Sequence, residues 1–142
     1  MTTKTKVIIL TTVLAVITFS TGRQIWPPNP ESPTPTPSQL PLFMILGVFE
    51  SVSFGLGISF LLFGWPLVKK LTGASDLLTK LAFLSITWYL VNWWPHDNLH
   101  AHNGMDLNGL LKIEYGFHVT MILAGVILAK FFITKVLKQK EK

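Results

Sequence analysis

The sequence predicts an all-α integral membrane protein: a four-helix bundle with both termini in the cytoplasm and a proline-rich linker outside, between the first two helices. Three observations carry this. Of the 142 residues, 49% are hydrophobic and only 13% charged, whereas soluble domains carry roughly 25% charged residues; mean hydropathy is +0.47. Such a chain has too little polar surface to face water on every side. The apolar residues also gather in four runs, each close to the ~20 residues that cross a bilayer. Finally, Lys4, Lys6, Lys69, Lys70, Lys80, Lys135, Lys138, Lys140 and Lys142 share one side if four spans alternate, which leaves Arg23 and Lys112 on the other. The positive-inside rule then puts both termini in the cytoplasm, with the plasma (inner) membrane as the location. The whole chain, 1–142, reads as a single membrane domain.

The first span covers about 7–26. Lys4 and Lys6 precede it, and Trp26 and Arg23 suit its far end, one as an interfacial anchor and the other snorkelling to headgroups. A basic start and a short apolar middle also fit a cleavable signal peptide; the retained helix is preferred because the run reaches spanning length. Residues 27–41 hold P-P-N-P-E-S-P-T-P-T-P. This much proline excludes helix and sheet and favours polyproline conformation, hence a stiff spacer between two helices that are not close neighbours.

The second span, about 42–65, is stopped by Pro66 and the Lys69–Lys70 pair. Gly47, Ser51, Gly55 and Ser59 recur every four residues, a stripe that admits a close helix neighbour. Glu50 lies inside the apolar stretch, where an ionisable group is costly and needs a partner turned inward. The third span, about 77–95, opens on Asp76 as N-cap after Gly73-Ala74-Ser75 and exits through Trp88, Tyr89, Trp93 and Trp94. A polar loop is expected over 96–112, with turns at Asn103-Gly104 and Asn108-Gly109. The fourth span, about 113–134, begins with Glu114 and His118 one helical turn apart and carries Gly116, Thr120 and Ala124 as a second small-residue stripe. The tail from Lys135 is polar and basic.

The net charge of +5 belongs with anionic lipid headgroups rather than nucleic acid. There is no cysteine, which excludes disulfides, thiolate metal sites and thiol redox chemistry. No G-x-S-x-G elbow or glycine-rich phosphate loop is present, and Gly55-x-Gly57 inside an apolar helix reads as packing.

What stands out is that all four histidines fall between Asn92 and His118, together with Asp97, Asp106 and Glu114. His96, His100 and His102 form H-x3-H-x-H, and Glu114 and His118 form E-x3-H. Imidazole suits zinc, copper and iron, and a carboxylate offsets the ion's charge. Side chains at i and i+4 of a helix stand on one face and can chelate together. His96 and His100 would do so if the helix re-forms after Pro95. His96, His100, His102 and His118 are therefore the candidate metal ligands, Glu50 and Glu114 the candidate catalytic acid/base groups, and Asp97 or Asp106 carboxylates that fix imidazole tautomers. The bland readings are a solvated histidine loop, a Glu114 that offsets the helix dipole or pairs with Lys112, and an interhelical hydrogen bond from His118.

Three function classes follow. The first is a metal-dependent membrane protein acting on a lipid-soluble substrate near the outer leaflet, with zinc, copper or iron bound; haem held by two histidines is a variant. The alternative is a non-catalytic accessory or assembly subunit that docks on a membrane-protein partner, or on its own copies, through the Gly/Ser stripes. A proton-coupled carrier comes third, because the inner halves of the spans offer little polar path.

Overall fold

Long apolar runs set the elements, and polar side chains cap the starts of the first and third of them. The computed structural model describes residues 1–73 and 75–137, and nothing of the Val136 side chain; Ala74 and the tail lysines Lys138, Lys140 and Lys142 lie outside the described residues. Among the described residues the regular structure is all helix, without strands. Helix α1 (Thr3–Ile25) is capped by Thr2, whose hydroxyl accepts the Thr5 N–H at 3.2 Å. Helix α2 (Leu40–Phe63) follows the linker, and a short helix α3 (Trp65–Thr72) carries Lys69 and Lys70 to Gly73, left-handed at φ 61°. The expected stop at Pro66 therefore falls elsewhere. The second span ends at Phe63, and Pro66 sits in the first turn of α3, where its missing N–H leaves nothing unpaired.

Helix α4 (Leu77–Val91) starts on Asp76, whose carboxylate accepts the Thr79 N–H at 2.9 Å. Helix α5 (Trp93–Asn103) and helix α6 (Leu107–Glu114) follow, then a π-helical turn at Tyr115–Val119, helix α7 (Thr120–Phe131) and a second π turn at Phe132–Leu137. Three helical stretches are long and apolar enough to cross a membrane: Thr3–Ile25, Leu40–Phe63 and the run Leu107–Lys135. Their length and composition mark a membrane protein. Helix α4 has 15 residues, about 22 Å at ~1.5 Å per residue, and is short of ~30 Å of hydrocarbon by itself. Its path continues, though: Asn92 N–H bonds the Trp88 carbonyl at 3.1 Å and His96 N–H the Asn92 carbonyl at 3.0 Å. Pro95, which has no N–H for the Val91 carbonyl, divides α4 from α5 at that point without ending the helical course.

The four apolar helices pack mainly on their chain neighbours, α1 on α2, α2 on α4, α4 on α7. The pairs are antiparallel, as the crossings Ser59 to Thr11, Phe54 to Trp94 and Asp76 to Lys135 require. Contact of α1 with α7 that would close a bundle is not comparable among the described residues, so the helices form an open row. Small residues make the close approaches. A methyl added to Gly55 would stand 2.6 Å from the Thr11 carbonyl, and one on Gly57 would meet Leu90 Cβ at 2.8 Å. Ser51, Ser59, Thr79, Ala82 and Ser85 are buried, while Phe49 is 72% and Ile122 64% exposed. Large apolar side chains outside and small or polar ones inside is the arrangement hydrocarbon selects.

The linker is not a spacer between distant helices, because α1 and α2 pack directly along the Gly/Ser stripe. It folds back onto the end of α5 instead. Asn29 N–H and the Ser32 hydroxyl both donate to the Ala101 carbonyl, at 2.9 and 2.6 Å. Since the last carbonyls of a helix have no partner within it, the strap satisfies one of them.

Candidate metal centre

The expected loop over 96–112 is two helices. Pro95 is the third residue of α5, so its absent N–H falls among the first-turn donors that a helix leaves unpaired anyway. The turn that follows uses Gly104 at φ 64°, and Asp106 then caps α6 by accepting the N–H groups of Asn108 and Gly109 at 3.1 and 3.2 Å. Asp106 is thereby occupied as a cap rather than as a brace for an imidazole. The reversal brings α6 back alongside α5, so that Glu114 stands opposite His100.

One ligating atom from each of His96, His100 and Glu114 lies within 4.8 Å of the other two. His100 Nε2 is 2.9 Å from Glu114 Oε1, yet it has no hydrogen-bond partner: the oxygen is within ion-pair distance but lies off the direction of the ring nitrogen. His96 Nε2 is likewise buried and without a partner. Its other nitrogen, Nδ1, is held at 2.7 Å by Asp97 Oδ1. A carboxylate accepting the Nδ1 hydrogen leaves Nε2 as a bare lone pair, the arrangement that presents imidazole to a cation. The Asp97 carboxyl also lies beside Glu50 of α2.

The sequence candidates thus separate. His96, His100 and Glu114 converge. His118, carried by the π turn, binds Glu114 Oε2 through Nδ1 at 2.5 Å, and its ring centroid is 5.3 Å from that of His96. It sits at the rim, its side chain 48% exposed against 14% for His96. A π turn inserts one residue per turn and re-aims what it carries, and such turns recur at functional sites. His102 does not join them. It is exposed, and its Nδ1 donates to the Pro27 carbonyl at 2.7 Å, which helps pin the linker. Glu50 lies behind the cluster on Asp97 rather than among the ligating atoms.

Aromatic rings enclose the inner side. Phe117 is 5.3 Å and Trp93 6.4 Å from the His96 ring, and Trp88 stacks on Phe117 at 5.9 Å. Sequence reasoning missed Phe117, although its position three residues after Glu114 places it on the same side of the helix. Two shallow grooves, lined by Pro33, Leu42 and Phe43 and by Ile9, Val13 and Phe63, lie away from the histidines.

Ligand atoms around a tetrahedral zinc stand about 3.3 Å apart, given bonds of ~2.0–2.1 Å. Atoms within 4.8 Å need to draw in by at most about 1.5 Å, within the reach of side-chain rotation. Two nitrogens and a carboxylate form the donor set of catalytic His₂Glu zinc sites and of the two-histidine, one-carboxylate iron sites, both of which keep positions open for other ligands. Set against protein-family models, curated proteins and solved structures, the chain has no match.

Proposed function

We propose that the protein binds one divalent transition metal ion, zinc, iron or copper, through His96, His100 and Glu114, with His118 at the rim as a further donor. One observation carries this reading. Two imidazole Nε2 atoms are buried without hydrogen-bond partners, within ligand reach of a carboxylate, and one of their rings is braced from behind by Asp97. A buried nitrogen without any partner, as His96 Nε2 is, costs ~1–3 kcal/mol, and a cation removes that cost. The ion would keep open positions and act on a lipid-soluble substrate arriving from the outer leaflet, with Glu50, behind Asp97, as the candidate acid/base group.

The same reading takes the helices as four spans with both termini cytoplasmic. Lys6 lies over the Phe63 ring at 5.9 Å, and Lys135 pairs with Asp76, so the basic ends of α1, α2, α4 and α7 gather at one face and the histidines lie toward the other. The accessory-subunit alternative draws on the open row of helices, whose outer faces are uncovered in the single chain.

Elemental analysis of the full chain purified in mild detergent tests the site. The expected result is about one transition metal ion per chain, with His96→Ala and His100→Ala each losing most of it while helicity is kept. A folded protein that neither carries nor takes up zinc, iron or copper overturns the reading and favours the accessory subunit.

A further inference from the structure

One buried group stands outside everything above. Asn92 is 1% exposed, and neither its Nδ2 nor its Oδ1 has a hydrogen-bond partner. It is the largest of the fully buried side chains, and burying an amide with both ends unpaired costs several kcal/mol in an apolar setting (~2–7). Its place on the helix is fixed by backbone bonds. Asn92 N–H bonds Trp88 and His96 N–H bonds Asn92, so the helical course is intact across the bend. Asn92, His96 and His100 follow one another at intervals of four and stand on one helix row. That row faces α7 and the π turn, because Trp88 Nε1 donates to Thr120 at 3.0 Å and the His96 ring contacts Phe117. The row therefore carries three buried groups without hydrogen bonds in succession, an amide and then two imidazole nitrogens, the last within ion-pair distance of Glu114.

Neighbouring deficits then call for one occupant. An ion on His96, His100 and Glu114 has three protein ligands and an open position, which His118 at the rim leaves free while it stays on Glu114, and one turn deeper an amide has no partner. A small ligand lying between them completes both.

We propose that Asn92 is the hydrogen-bonding group for the small exogenous ligand of the metal centre, a water molecule or a compact anion of the azide or formate type. Its Nδ2 donates to that ligand, while Oδ1 accepts from it when it is protonated. This rests on the metal reading of His96, His100 and Glu114. The size limit follows from the surroundings. Asn92 is 1% exposed, so what bonds its amide is small, on the scale of a single water (~30 Å³) rather than of a substrate head group. Asn92 is a positioning residue. It selects what sits on the ion without touching the ion.

Azide titration of the cobalt(II)-loaded full chain, followed by its visible spectrum, tests this, with cobalt content measured in parallel. Asn92→Leu keeps the volume and removes the hydrogen bonds. The expected result is unchanged cobalt stoichiometry and azide affinity lowered about ten- to a hundredfold, the loss of one hydrogen bond to a charged partner. Asn92→Ser keeps a donor, so its azide affinity should fall between the two; it carries the comparison if Asn92→Leu does not fold. Equal azide affinity in the wild type and the folded variant overturns the assignment and leaves the metal site standing. Failure of the wild type to take up cobalt overturns both.

Discussion

At the scale of single residues, the arrangement divides between groups that point at one another and groups that point at a common place. Asp97 belongs to the first kind and His96 Nε2 to the second. If Asp97 sets the His96 tautomer, Asp97→Asn should weaken metal affinity about 10- to 100-fold, the usual loss on removing an outer brace. His102→Ala should leave the affinity unchanged, since His102 serves the linker. Competition with a chromophoric chelator measures both. Equal losses in the two variants would mean that the histidines act as a diffuse polar patch and not as a built site. His96, His100, Glu114 and His118 were readable from sequence because ionisable groups are rare in this chain and their spacings are helical. The separation of His102 was not, because it depends on where the carbonyl of Pro27, 75 positions away, comes to rest.

Elements decide which of these residues meet. The resumption of helix after Pro95 sets His96 and His100 on one row, and the turn at Gly104 with the Asp106 cap sends α6 back against α5. Reading 96–112 as a loop gave too much weight to polar composition and too little to proline's tolerance in a first turn. A separate element contact ties the opposite end, where Asp76 of the α4 cap takes the Lys135 ammonium at 2.5 Å. Lys135, with the Thr79 N–H and hydroxyl, holds the Asp76 carboxyl down at about 2 from its ordinary 3.8. A depressed carboxylate contributes stability that is present above its unfolded value and lost as pH falls through its folded one. The contribution of this clasp should therefore disappear between roughly pH 4 and pH 2. Asp76→Asn should remove that part of the acid sensitivity, as read from thermal unfolding in detergent across this range. A wild-type and variant difference that stays constant down to pH 2 would show that the pair adds nothing.

On the scale of the whole molecule, the claim to check is which face of the membrane holds the histidines. The chain has no cysteine, so single replacements report cleanly. With both termini cytoplasmic, Thr34→Cys in the linker should react with an impermeant maleimide added outside intact cells. Thr3→Cys should react only after permeabilisation. The reverse pattern would invert the protein and place the site on the cytoplasmic side. Helix existence and the membrane setting followed from sequence alone, because hydrocarbon demands long apolar runs, small residues where helices approach and basic residues at one end, and each of these is a local property. The tertiary structure decided that α1 and α2 are direct neighbours, that the linker straps α5, that Glu50 stands behind Asp97, and that Asn92 is buried without a partner. Those facts depend on distances between segments far apart in the chain. Composition and spacing place residues on a helix face, but only packing determines what that face meets.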